Sequence, residues 1–268
     1  MVTEGINPEE LFSMYMKITG VPRLEPLPAP DPSLQGKRLG IVNGSSWITL
    51  WSTYFGRTIL PGVQLINVGN EGVQLNFMRA HEKGEPCPPR INIDLFVQYA
   101  KDIYNLWGMD ALIVTCSTMN RAAESVKKEM QKMGVPVVQI DEPMMEKTVN
   151  RGGKTLVVAT HGPTVKSTQA LLEETADRMN KTISFTGATV EEAFHLLGDG
   201  NIKAHNETIA KAIREVQKKE SIDSVVLAQL SMSVFAFAYP DREAEFGVPV
   251  YTSGECGFER VKEILVGT

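Results

Sequence analysis

The chain repeats itself. "DALIVTCSTM", beginning at Asp110, is matched by "DSVVLAQLSM", beginning at Asp223, and each is followed by "GVPV", at Gly134 and at Gly247. The step from Asp to Gly is 24 residues in both copies. Upstream, "GKRLGIVNGSS" from Gly36 pairs with "GKTLVVATHGPT" from Gly153. Matched words at matched spacings predict two halves of like topology.

The pattern within the halves names the fold class. Apolar runs of strand length fall at Leu39–Asn43, Val63–Val68, Ala111–Thr115, Val137–Ile140, Leu156–Thr160, Ile183–Thr186, Ser224–Gln229 and Val250–Thr252. Between them lie helical patterns, among them Ile91–Trp107, Met119–Met133 and Val165–Met179, and Thr189-x-x-Glu192 reads as a capping box. Continuous apolar strands alternating with helices predict parallel sheets covered on both faces. The expectation is an α/β fold of two pseudo-symmetric Rossmann-like lobes, each with a parallel four-stranded sheet, and an active-site cleft between them. Residues 36–152 form the first lobe and 153–268 the second, with the C-terminal helix free to pack back on the first. Residues 1–35 precede the repeat. They hold a short helix, Pro8–Ile18, and a proline-rich stretch, "VPRLEPLPAPDPSLQG", whose prolines forbid a regular helix or central strand. That stretch reads as an arm lying on the body or on a partner chain.

Composition excludes several functions. A net charge of -5 and a pI near 5.5 leave no basic surplus to neutralise nucleic-acid phosphates. Three scattered cysteines, Cys87, Cys116 and Cys256, make neither a disulfide framework nor a zinc site, and no HExxH or CxxC is present. No GxGxxG after a strand and no GxxxxGK[ST] supplies a phosphate cradle. The opening "MVTEGINPEE" has no signal pattern, and the most apolar stretch, "SVVLAQLSMSVFAFAY", is short for a membrane span and contains Gln and Ser. A soluble cytoplasmic protein without metal or cofactor is expected, with no nucleic-acid or membrane partner.

In a parallel α/β sheet, ligands bind beyond the carboxyl ends of the strands. Four loops then qualify for the cleft: Asn43–Ser46, Cys116–Asn120, Thr160–Thr164 and Gln229–Ser233. They are rich in Gly, Ser and Thr, whose N–H groups and hydroxyls suit a small carboxylate. Cys116 ends an apolar strand. It is either a small buried hydrophobe or a reactive thiol whose pKa the following helix N-terminus would lower. His161 is the histidine of these loops and titrates near neutral pH. Ser231 and Ser233 are placed to cap the next helix. Asp141 and Glu142 are placed to favour the N-terminus of the helix they open.

Taken in order, "GIVNGSS", "VTCSTMN", "VQIDEPM", "VVATHGPTVKST", "LGDGNIKAHN" and "GVPVYTSGECGFERVKEIL" resemble the aspartate/glutamate racemase superfamily. That group also contains hydantoin racemases, maleate isomerases and arylmalonate decarboxylases. The resemblance implies cofactor-free proton transfer at a carbon beside a carboxylate, between two cysteines facing each other across the cleft. Cys116, with Ser117 and Thr118, matches the first cysteine motif. Asn43, Gly44 and Ser45 match the loop after the first strand, where the racemases carry an Asp-Ser pair, so Asn43 departs from the pattern. An offset of 113 residues places Gln229 on Cys116 and Ser231 on Thr118. The second cysteine is thus replaced by an amide, which can donate a hydrogen bond but cannot carry a proton.

Catalysis is therefore expected from Cys116 with His161 as the second proton carrier, and Cys256 behind it. Substrate contacts are expected from Asn43, Gly44, Ser45, Ser117, Thr118, Thr160, Gln229 and Ser231. Two other readings stay open: a one-cysteine lyase or hydrolase, and a carboxylate-binding protein without chemistry. The N-terminal arm and the resemblance point to a homodimer.

Overall fold

The computed structural model describes residues 7–19 and 28–267. Much of the proline-rich arm, and what was expected of it, lies outside the described residues. Helix α1 (Pro8–Thr19) comes first. The chain then runs β1 (Arg38–Asn43), α2 (Ser46–Ile59), β2 (Gln64–Gly69), α3 (Glu71–Glu82), α4 (Arg90–Trp107), β3 (Ala111–Val114), α5 (Ala123–Gln131), β4 (Val137–Gln139) and α6 (Glu142–Arg151). The second half follows as β5 (Lys154–Ala159), α7 (Gly162–Arg178), β6 (Ser184–Thr189), α8 (Glu191–Gly198), α9 (Ile202–Gln217), β7 (Ser224–Leu227), α10 (Phe235–Ala238), α11 (Arg242–Phe246), β8 (Val250–Thr252) and α12 (Ser253–Gly267).

The strands make two parallel four-stranded sheets in the same order, β2-β1-β3-β4 and β6-β5-β7-β8. This is the expected α/β pair, and each apolar run read as a strand falls on one of these eight. Strands β3 ("ALIV") and β7 ("SVVL") are buried along their whole length, as central parallel strands covered on both faces must be.

The repeated words turn out to be joints. Asp110 Oδ2 accepts the Arg38 N–H at 2.7 Å, and Asp223 Oδ2 accepts the Lys154 N–H at 2.6 Å. Each Asp thus ties the start of its own strand to that of the neighbouring one. Gly134 and Gly247 turn the chain with φ of 70° and 69°. The proline carbonyl two residues later then accepts from the central strand, Leu112 N to Pro136 O and Val225 N to Pro249 O, each at 2.9 Å.

The helices after the last strand of each sheet are exchanged. From α12, Phe258, Val261 and Leu265 pack with Leu39, Ile41 and Ile113 of the first sheet. From α6, Met144, Met145 and Val149 pack with Leu171, Leu172 and Val226 of the second half. Each fully buried Leu or Phe here is worth about 1.5–3 kcal/mol of transfer free energy, so each sheet depends on a helix that follows the other sheet's side of the repeat.

Several local expectations are corrected. Thr189 still belongs to β6, and α8 has Val190 at its N-cap with no side-chain cap, so the capping box does not form. The helix read over Met119–Met133 begins as a 3-10 turn, Ser117–Ala122, broken at Met119 (φ -100°, ψ 17°), before α5. A second 3-10 turn, Leu230–Val234, divides β7 from α10. The apolar side of α1 is not covered: Leu11, Met14 and Tyr15 are all more than half exposed. Its C-terminal carbonyls, Ile18 O and Thr19 O, instead accept from the Arg57 guanidinium. Among the described residues no helix is long and apolar enough to cross a membrane.

Candidate active site

The carboxyl ends of β1, β3, β5 and β7 converge on one cleft of ≈ 120 Å³. Ser45, Cys116, Ser117 and Thr118 reach it from the first lobe, and His161, Gln229 and Ser231 from the second. Three expected contacts stand behind it. Asn43 is buried and spends its side chain on its own loop, Oδ1 accepting from Ser45 N at 3.2 Å and Nδ2 donating to Thr49 Oγ1 at 3.1 Å. Gly44 lies against the thiol: a Cβ added there would come within 3.1 Å of Cys116 Sγ. Thr160 holds Gln229, through its N–H at 2.8 Å and its hydroxyl at 2.9 Å, both donated to Gln229 Oε1.

That last contact settles the orientation of the amide. With the carbonyl oxygen of Gln229 occupied twice, its NH₂ is left for the cleft, and no partner for it occurs among the described residues. Ser45 Oγ is buried and has no partner among the described residues. A buried polar group left unsatisfied costs about 1–3 kcal/mol, and a ligand oxygen would relieve it. The site therefore offers an anion two sets of free donors, one from each lobe.

Cys116 is 7% exposed, with Sγ 3.2 Å from Thr118 Oγ1. Burial pushes its thiol above the usual range, despite a hydrogen bond with Thr118 and those from the Met119 and Gly44 N–H groups. This corrects the expected depression by a helix N-terminus. The turn that follows is a broken 3-10 segment, and desolvation outweighs its N–H groups. His161 sits at the N-cap of α7 without a capping bond, its ring stacked on Phe194 with centroids 6.5 Å apart. Burial, helped by neighbouring His81, pushes its pKa down, and Glu191 offsets this only in part. At neutral pH these surroundings therefore favour a protonated thiol and a neutral imidazole in one cleft.

Other groups fall away. Cys256 is packed in the core with Leu172 and Val226, its thiol pushed up to about 12 by burial, and does not line the cleft. His205 is buried in α9, bonding Ala193 O at 2.7 Å. Ser233 takes the Gly254 N–H at 3.2 Å, and neither it nor Ser231 caps α10. Among the described residues no cluster of His, Cys, Asp and Glu is arranged to hold a metal.

The structure also adds residues that the sequence did not reveal. Trp47, Ile48 and Met78 give the cleft apolar walls, and Gln74 takes the Thr118 hydroxyl at 3.3 Å. These lie on α2 and α3, helices with no family word or repeat to mark them. Behind the thiol loop, Asp141 does not cap α6. Its backbone is already helical, and its carboxylate accepts from Ser117 Oγ at 2.9 Å and Gln139 Nε2 at 2.8 Å. Glu142 instead pairs with Lys127 at 2.6 Å.

Comparison with known proteins places this cleft in a family. Residues 90–261 match the family model described as Asp/Glu/hydantoin racemase. No curated protein matches the sequence. Among solved structures, an aspartate racemase homologue from Pyrococcus horikoshii is 18% identical over 85% of this chain and 99% of its own, with a TM-score of 0.61. A glutamate racemase isoform from Bacillus anthracis is 17% identical over 86% and 82%, with a TM-score of 0.57. Allantoin racemase from Klebsiella pneumoniae is 16% identical over 86% and 88%, with a TM-score of 0.59. At such identities these structures share the fold, while the family match spans well over half of the sequence. With the paired sheets, it shows that the chain belongs to the Asp/Glu/hydantoin racemase family.

Proposed function

We propose that the protein is an isomerase that moves a proton at a carbon beside a carboxylate, on a small amino-acid-like or dicarboxylic substrate, with its own side chains as acid and base. The observation that carries this reading is the pair Cys116 and His161. They reach one cleft from different lobes, and burial pushes the thiol up and the imidazole down. Groups whose surroundings drive their protonation apart are the acid and base of such a reaction.

Neutral His161 removes the proton, and the electron pair left on carbon spreads into the carboxylate. Cys116 delivers its proton to the other face, leaving a thiolate and an imidazolium. Thr118 and the Gly44 and Met119 N–H groups, which already bond Sγ, receive the thiolate. The NH₂ of Gln229 and the hydroxyl of Ser45 meet the charge that builds on the carboxylate. On this reading Gln229 is a fixed donor where the repeat would have a second thiol, and the reaction is asymmetric between its two faces.

The test is hydrogen exchange in D₂O. D- and L-aspartate and D- and L-glutamate are each incubated with the protein, following loss of the proton at the reacting carbon by NMR together with optical rotation. Exchange with inversion is expected for at least one of them. Cys116→Ala and His161→Asn should each lower its rate by about 10²–10⁴-fold. Absence of exchange for all of these would overturn the reading.

A further inference from the structure

A second cavity, of ≈ 380 Å³, opens between the lobes and shares only Thr118 with the cleft. Phe77, His81, Asn120 and Arg121 reach it from the first lobe, and Thr164 and Lys166 of α7 from the second. Its charge is one-sided. His81, Arg121 and Lys166 line it and no Asp or Glu does, in a chain whose net charge is -5. Three carboxylates stand near without lining it: Glu174 pairs with Arg121 at 2.6 Å, Glu191 acts on His161, and Glu85 acts on Cys87. Lys166 and His81 enter no ion pair among the described residues.

Thr164 is a separate observation that points to a ligand. It is 2% exposed, in the first turn of α7, and its Oγ1 has no hydrogen-bond partner among the described residues. A helical threonine commonly gives its hydroxyl to the carbonyl four residues back. Thr148 and Thr175 do so here, to Met144 O at 2.8 Å and Leu171 O at 2.7 Å. Thr164 does not, and it stands in the cavity wall beside the charges.

Three cations and a spare hydroxyl call for an anion of more than one charge and several acceptors. A phosphate monoester carries about -1.5 to -2 at neutral pH and three acceptor oxygens, and the start of a helix favours it further. The space also exceeds what one ion fills, a water occupying about 30 Å³, and Phe77 and Pro163 wall part of the remainder.

We propose that this cavity is a second ligand site, which takes a phosphate group, free or as the monoester of a small molecule, on Lys166, His81, Arg121 and the Thr164 hydroxyl. The ligand ties the turn that carries Thr118 to the first turn of α7, and so bridges the lobes without entering the cleft.

Calorimetry at constant ionic strength tests it with inorganic phosphate and with phenyl phosphate. Saturable binding of at least one is expected. Lys166→Ala and Thr164→Val should each weaken it about tenfold or more, the scale of a hydrogen bond to a charged group. Lys166 is exposed, so its replacement does not threaten the fold, and circular dichroism checks the buried Thr164→Val. Lys211→Ala, which removes an exposed charge of α9 outside the cavity, should leave binding unchanged. Tighter binding of phenyl phosphate assigns the site to an ester, and equal or weaker binding assigns it to the free ion. Absence of saturable binding overturns the proposal, as does an equal loss in Lys211→Ala, which would mean diffuse surface charge. Binding that Gln229→Ala removes and Lys166→Ala does not would put the anion in the cleft and overturn it too.

Discussion

A carboxyl group taken out of water without a cation beside it destabilises the fold whenever it ionises. Asp141 is such a group, for no ion pair engages it among the described residues. Burial pushes its pKa up from 3.8 to about 6, against the hydrogen bonds of Ser117 and Gln139 that favour the charge. Between those two values the native state binds more protons than the unfolded chain, so the contribution of Asp141 is most favourable below about pH 4 and is lost as pH rises through about 6. A shift of that size corresponds to about 3 kcal/mol. Urea unfolding across this range should therefore show the wild type losing stability relative to Asp141→Asn, with the difference levelling off above the native pKa. A wild-type curve parallel to that of the variant would refute this. The position of Asp141 past an apolar strand was legible in the sequence, whereas the direction of its side chain was not. An acid at that place reads equally as a helix-terminus charge, and only the packed turn of Ser117 shows where it points.

The elements were legible for a physical reason that also marks the limits. Parallel strands buried on both faces, as β3 and β7 are, must be continuous apolar runs, and apolar runs also marked the partly exposed edge strands β2 and β6 and the short Val250–Thr252. Helices α2, α3 and α9 bury only one side and carry no repeated word, so they passed unnoticed. With α2 and α3 went Trp47, Gln74 and Met78 of the cleft. Thr189 misled because a good capping pattern fell where β5 recruits a six-residue edge strand, and the ladder overrode the cap. The repeated Gly before β4 and β8 shows what the duplicated words preserve. A Cβ at Gly247 would meet nothing within 4 Å, so Gly247→Ala costs backbone strain alone. The expected loss is about 1–2 kcal/mol in urea unfolding, with the affinity of the cleft for carboxylates unchanged. An unaltered unfolding midpoint would show that the turn relaxes to another conformation.

At the scale of the molecule, sequence order and spatial order part company. The boundary between residues 152 and 153 divides the repeat cleanly, yet α6 lies in the core of the second half and α12 in that of the first. The interlock predicts one unfolding transition. Phe258→Ala, at a fully buried position of α12, should destabilise by about 3–5 kcal/mol. Fluorescence of Trp47, Trp51 and Trp107, all in the first half, should still lose its native signal together with the far-ultraviolet dichroism of the whole chain. Separated transitions would mean that the lobes are held together less firmly than their exchanged helices imply. Shared topology was foreseen from the repeat. The exchange itself was open, since an amphipathic helix records that one face is buried and not against which sheet.

The same exchange sets a timetable for the nascent chain. Synthesis runs from the N-terminus at about 5–20 residues per second, so the first sheet leaves the ribosome long before Ser253–Gly267 exists. Until then, the face holding Leu39, Ile41 and Ile113 has lost its cover and waits in the company of whatever else is sticky in the cell. Maturation of the early half is thus deferred until α12 has been made, and a ribosome that stalls before it leaves behind a body already shaped but not yet closed.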